Sequence, residues 1–409
     1  MKPTGPIPPD FSASEGQLVI GGQSVREILD GAETPLFVYD GGVVRARVAR
    51  LRATMPEGLG IHYAVKANPY RPLLAMLGDL VDGFDVASRG EMILAAEAGM
   101  DTEAISFAGP GKRDAELEAA VRHRVTVNVE SEGEATRLLA IGARIGVTPC
   151  AAVRINPDFD LKGSGLRMGG GAKQFGVDAE VAAPLIRRLV DAGVDYRGLH
   201  IFAGSQALDA GAVAETQRQT VELAGRLSEE ACVAPPRVNL GGGFGVPYFA
   251  GDKPLDVEAV GAALGDVLAA RVEVLKGTAF AIELGRWLVA EAGVYLTRVI
   301  DRKESRGETF LVVDGGLNHV LAASGNFGTV VRRNYPIAVA GWFGAAAEEV
   351  VSVVGPLCTP LDRLGDRVEL PRAEAGDVIA LFMTGAYGRS ASPEGFLSHP
   401  AAGEMLVRG

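Results

Sequence analysis

Cysteine is almost absent: Cys150, Cys232 and Cys358 are the only three in 409 residues. They are too few and too scattered for a disulfide framework or a zinc site, so no metal is expected. No block of lysine and arginine occurs, and the formal net charge is -11. With nothing to neutralise a row of phosphates, nucleic-acid binding is excluded as a function class. No apolar run is long enough to cross a bilayer, and the start, MKPTGPIPPDF, contains no apolar signal region. These absences leave a soluble, cytoplasmic protein with neither a membrane nor a nucleic acid as partner. A chain that is 47% hydrophobic and 22% charged is a packed globular enzyme rather than a disordered segment.

What is present is an alternation. Strand-like segments occur at HYAVKA, GFDVAS, AISFAG, TVNVES, AAVRIN, GLHIFAGS, RVNLGGG and FAIELGR, all between His62 and Arg286. Stretches with helical periodicity, such as KRDAELEAAVRH and EATRLLAIGARIG, separate them. Eight such repeats predict an α/β fold, a (β/α)8 TIM barrel, with a doubly wound open sheet as the alternative. Beyond Arg286 the segments VYLTRVIDRK, TFLVVDGG, EEVVSVVGPLC and DVIALFMTGAYG are strand-like with little helix between them. A β domain from residues 1–37 and 286–409 is therefore expected beside a barrel from 38–285, with the N-terminal strand QLVIGG pairing into the β domain.

Barrel enzymes carry their chemistry at the carboxyl ends of the strands. Those ends hold Lys66, Ser88, Gly109, Glu130, Asn156, Ser205, Gly241 to Gly243, and Glu283. Lys66 stands at the tip of an apolar strand: a lysine that snorkels to solvent, or an amine kept partly desolvated as a nucleophile. In LGGGFGVPY the consecutive glycines let backbone N–H groups approach an anion, although a tight barrel turn explains them nearly as well. The stretch matches neither the P-loop nor G-x-G-x-x-G, because Val246 occupies the last glycine position. Glu283 in ELGR suits a general base, a salt-bridge partner or the partner of a ring nitrogen. A lysine, a phosphate nest and a carboxylate on one rim together suit pyridoxal phosphate, which has an aldehyde, a phosphate and a basic ring nitrogen.

The series YAVKANP, FDVASRGE, VRINP, KQFGV, AGSQ, LGGGFGVPY, ELGR, GPLC and GAYG runs through nearly the whole chain. It resembles the fold-type III pyridoxal-phosphate decarboxylases, the family of the diaminopimelate, ornithine and arginine decarboxylases. The resemblance implies an alanine-racemase-like barrel with a β domain. It makes Lys66 the Schiff-base lysine and Ser205, Gly242, Gly243, Arg286 and Tyr387 phosphate contacts. Glu283 matches the partner of the pyridine nitrogen. Cys358 matches the cysteine that reaches a partner subunit's site and protonates the decarboxylated carbon, which implies a head-to-tail homodimer with shared sites.

Departures from the family bear on the substrate. Phe202 stands where the family places a histidine against the cofactor ring; it can stack but carries no charge, and His200 lies two residues earlier on the same strand face. Thr359 follows the cysteine where relatives carry an acid for a distal ammonium, leaving Asp362 and Asp314 as replacements. The arginine that holds a distal carboxylate in diaminopimelate decarboxylases is missing, and Arg332 and Arg333 follow as substitutes. FAGPGKRD, LKGSGLRMGGGAKQFGV and ASPEGFLSHP look like a subgroup found with exosortase systems, similar also to a decarboxylase of carrier-bound glutamate. The expected activity is removal of the α-carboxylate from an amino acid, free or carrier-bound. Diaminopimelate decarboxylation, racemisation and a non-catalytic cofactor binder are the alternatives.

Overall fold

The computed structural model describes residues 1–161, 163, 166–167, 169–325 and 333–408. Eight parallel strands occupy Gly60–Ala64, Gly83–Val86, Ile105–Phe107, Thr126–Val129, Cys150–Asn156, Asp195–Ile201, Arg237–Asn239 and Ala279–Leu284. Each pairs with its neighbours in sequence, and the last returns to the first, with Ile282 opposite Ile61. The ring is closed, so the barrel stands and the open sheet falls. Helices cover the outer face, which is why strands such as Cys150–Asn156 are buried at every position.

Local chemistry starts the helices. Ser88, Ser131 and Asp209 each accept a hydrogen bond from a backbone N–H in the first turn of the helix that follows. Ser88, one of the polar residues on the rim, is thus a helix cap.

A buried charge cluster ties the loops beyond the third, fourth and fifth strands. Lys112 Nζ donates to the Gly109 and Asn128 carbonyls and to Glu134 Oε1 at 2.8 Å. Burial pulls the Lys112 pKa down, against the opposing pull of Glu134 and Glu130. Glu130 accepts from Arg154 at 2.9 Å and from the N–H groups of Gly109 and Gly176.

The chain divides into two compact units, Val48–Gly245 with Pro254–Gly285, and Met1–Arg47 with Val246–Lys253 and Arg286–Gly409. The first holds the barrel. In the second, the long strand Gly293–Ser305 pairs antiparallel with Glu308–Val313, Val378–Leu381 and Leu36–Asp40. Glu349–Val354, Arg363–Leu370, Ile337–Val339 and Gly403–Val407 complete an eight-stranded sheet. The N-terminal strand in this sheet is Leu36–Asp40, not the expected QLVIGG. Gln17–Ile20 instead lies between Ser12–Ser14 and Gln23–Ser24 in a sheet of its own. The burial patterns differ accordingly: Leu36–Asp40 is buried throughout, whereas Gln17–Ile20 buries alternate residues. Residues 38–40, expected with the barrel, therefore pair in the β unit.

Removing one member of a buried ion pair leaves an uncompensated charge. Glu134→Ala is expected to destabilise the protein by about 3–5 kcal/mol in urea denaturation. A loss below about 1 kcal/mol would show that Lys112 is satisfied by the carbonyls alone.

Candidate active site

Lys66 follows the first barrel strand within the single 3-10 turn Val65–Ala67. Its side chain is exposed in the single chain, as the snorkelling alternative of the strand-tip pattern has it. Its Nζ lies 5.5 Å from the centroid of the half-buried Phe202 ring, within range of a cation–π contact. Glu91 is close enough for Lys66 to lower its pKa, although burial prevails and raises it. Sequence reading passed over Glu91 because Ser88 and Glu91 look like a helix start, which they also are.

Glu283 is buried near the end of the eighth strand. His200 Nε2 donates to its Oε2 at 2.8 Å, and Asn239 Nδ2 donates to the same oxygen at 3.2 Å. Burial pushes the Glu283 pKa up, but the His200 imidazole, aided by Lys66 and Arg154, outweighs it and holds the pKa at about 2. Among the described residues Oε1 has no hydrogen-bond partner, and His200 Nδ1 is a buried nitrogen without one. His200, offered as an optional contributor, is thus the main partner of Glu283. Asn239 and Arg154 were missed, because nothing in RVNLGGG or VRINP states what their side chains face.

The glycines of LGGGFG have structural reasons to be glycine. Gly241 and Gly243 adopt φ of +70° and +91°, and a Cβ on Gly242 would collide with the Glu283 carbonyl. The N–H groups of Gly242 and Gly243 make no backbone hydrogen bond among the described residues. Ser205, half-buried, pairs its backbone with Leu166.

In the β unit, Arg286 donates to the Tyr248 hydroxyl at 2.9 Å, and its guanidinium lies 4.6 Å from the Tyr387 ring centroid. Tyr387 has φ of +54°, a left-handed conformation that a bulky residue adopts only under constraint. Cys358 is an exposed free thiol. The Thr359 hydroxyl accepts from Leu361 N at 3.3 Å, closing the turn after the cysteine. Asp362 is 2% exposed, and its carboxylate accepts from Leu317 N at 2.7 Å and Leu357 N at 2.8 Å. A Cβ on Gly316 or Gly355 would strike that carboxylate, so these glycines make room for it. Asp314 accepts from the hydroxyls of Thr34 and Thr297 and from Arg298 N. Both carboxylates offered as substrate partners are thus engaged by the protein itself. Arg332 lies outside the described residues; its neighbour Arg333 stacks on Phe249 at 3.7 Å.

Residues 42–290 match the pyridoxal-dependent decarboxylase, pyridoxal binding domain. The chain is similar to L-glutamyl-(BtrI acyl-carrier protein) decarboxylase of Niallia circulans, 38% identical over 92% of this chain and 89% of that one. It is 32% identical to diaminopimelate decarboxylase of Aquifex aeolicus over 98% of this chain and 92% of that one. The structure of diaminopimelate decarboxylase from Helicobacter pylori complexed with L-lysine matches with a TM-score of 0.82 at 27% identity, covering 93% of each chain. The chain belongs to the pyridoxal-dependent decarboxylases. It is a carboxy-lyase that uses pyridoxal phosphate to remove the carboxylate of an amino acid or aminoacyl substrate. The barrel residues fit that cofactor: an ionised carboxylate with one oxygen unengaged, and a glycine loop with two N–H groups not used by the backbone.

A carboxylate whose folded pKa is depressed stabilises the fold above its unfolded pKa, and that contribution is lost as pH falls through the folded one. Glu283→Gln should lose most stability relative to the native protein above about pH 4.5, with the difference shrinking toward about pH 2. Denaturation of both proteins across this range measures it; a difference independent of pH would contradict an ionised Glu283.

Proposed function

We propose that the protein decarboxylates an amino acid whose distal end bears no ammonium group, with a glutamyl group tethered to a carrier protein as first candidate. When bound, pyridoxal phosphate supplies a sink for the electron pair released by breaking the Cα–carboxylate bond. Lys66 would hold the cofactor through its aldehyde. Phe202 offers the ring an apolar face. Glu283 would pair with the ring nitrogen and keep it protonated, and the N–H groups of Gly242 and Gly243 with Ser205 would hold the phosphate, for which the family resemblance also proposes Arg286 and Tyr387. The thiol of Cys358, exposed in the single chain, delivers a proton to Cα in the site of a second copy, which makes the working form a head-to-tail homodimer.

The observation that carries the substrate reading is the engagement of Asp314 and Asp362. A distal ammonium needs a counter-charge, and burying it without one costs several kcal/mol. Both available acids are held by backbone and hydroxyl donors, and Thr359 carries no charge. The 38% identical relative is named for a glutamyl group on a carrier. Diaminopimelate remains the second reading, favoured by relatives 32% identical across nearly the whole chain. The cytoplasmic setting is part of the proposal, in keeping with three unpaired cysteines.

Carbon dioxide release should be about a hundredfold more efficient, by kcat/KM, from carrier-linked glutamate than from meso-diaminopimelate, lysine or ornithine, the margin a missing counter-charge implies. Comparable turnover of diaminopimelate would overturn the substrate reading. Lys66→Ala should remove the visible absorbance of the purified protein and lower activity by orders of magnitude; an unchanged spectrum refutes its role. Mixing Lys66→Ala with Cys358→Ala subunits should restore activity through one intact site per mixed dimer, and no recovery counts against a shared site.

A further inference from the structure

The reading above leaves Asn239 without a role, although it sits between two parts of the proposed cofactor site. It ends the seventh barrel strand and is 7% exposed. Its Nδ2 donates to Glu283 Oε2 at 3.2 Å, while its Oδ1 accepts from Gly241 N at 2.9 Å. The partners fix which way the amide points, since a carboxylate only accepts and a backbone N–H only donates.

We infer that Asn239 is a positioning residue that holds the ring-nitrogen carboxylate and the phosphate-binding glycine loop in register. The inference rests on the cofactor reading just given. The last torsion of a glutamate side chain is broad, so one donor cannot set the plane of its carboxylate. His200 and Asn239 both take Oε2, which turns Oε1 toward whatever Glu283 serves. At the other end, Gly241 begins the loop whose next two N–H groups remain available, and Asn239 anchors that first residue. The backbone supports the same junction, because Glu283 N donates to Gly241 O at 2.9 Å. That bond fixes where the two segments meet, but it does not orient the carboxylate. Asn239 is the side chain that touches both.

The two contacts can be separated by chemistry. Asn239→Asp keeps an acceptor for Gly241 N but replaces the donor to Glu283 with a like charge. Asn239→Leu removes both. Apoprotein is titrated with pyridoxal phosphate by visible absorbance to give Kd, and holoenzyme rebuilt with cofactor labelled at the ring nitrogen is read by 15N resonance. Asn239→Leu should raise Kd about ten- to a hundredfold, the range of a lost hydrogen bond near charge, and shift the nitrogen signal. Asn239→Asp should hold Kd within about threefold yet still shift the signal. Equal loss of affinity in both variants, or an unmoved nitrogen signal in either, overturns the inference. Where the leucine variant fails to fold, the split between Kd and signal in the aspartate variant decides alone. Failure of the cofactor reading itself is seen separately, as native apoprotein that takes up no pyridoxal phosphate.

Discussion

A carboxylate buried as completely as Glu283 stays ionised only if positive charge and donors replace the water it has lost. That single requirement organises the interior of the barrel. His200 and Asn239 supply the donors, and Lys66 and Arg154 add positive charge. Arg154 is itself buried and demands a counter-charge, which Glu130 provides. Glu130 in turn gathers the N–H groups of Gly109 and Gly176, and so places loops from three different strands. Lys112 and Glu134 close the cluster. Compensation spreads outward from one acid until the loops of half the barrel are committed.

The β unit repeats the logic with a different result. Asp362 lies deep between two turns and accepts backbone N–H groups from both, Leu317 on one side and Leu357 on the other. It lies four residues beyond Cys358 and shapes the loop that presents the thiol. Gly316 and Gly355 exist for this carboxylate, since neither position has room for a side chain beside it.

Nearly all of the barrel could be read from alternation alone, because a strand covered by helices must be apolar and must be followed by an amphipathic segment. Closure could not, since it depends on whether Ala279–Leu284 meets Gly60–Ala64, and no local pattern encodes that pairing. Which N-terminal strand joins the β sheet was equally beyond reach. QLVIGG and LFVYD are both strand-like, and only burial on one face or two separates them.

Lys66, Glu283 and the glycine loop could be singled out as candidates because they stand at the carboxyl ends of strands, where barrel enzymes carry their chemistry. The sequence by itself determined a fold class, a cofactor class and a set of candidate side chains, for these follow from residue type and from spacing along the chain. Only the tertiary structure decided that His200 and Asn239 hold Glu283, that Lys66 stands exposed, and that Asp314 and Asp362 are occupied. The contacts of Glu283, and those of Asp314 with Thr34 and of Asp362 with Leu317, join residues tens to hundreds of positions apart, and a hydrogen bond is set by distance in space rather than by separation along the chain.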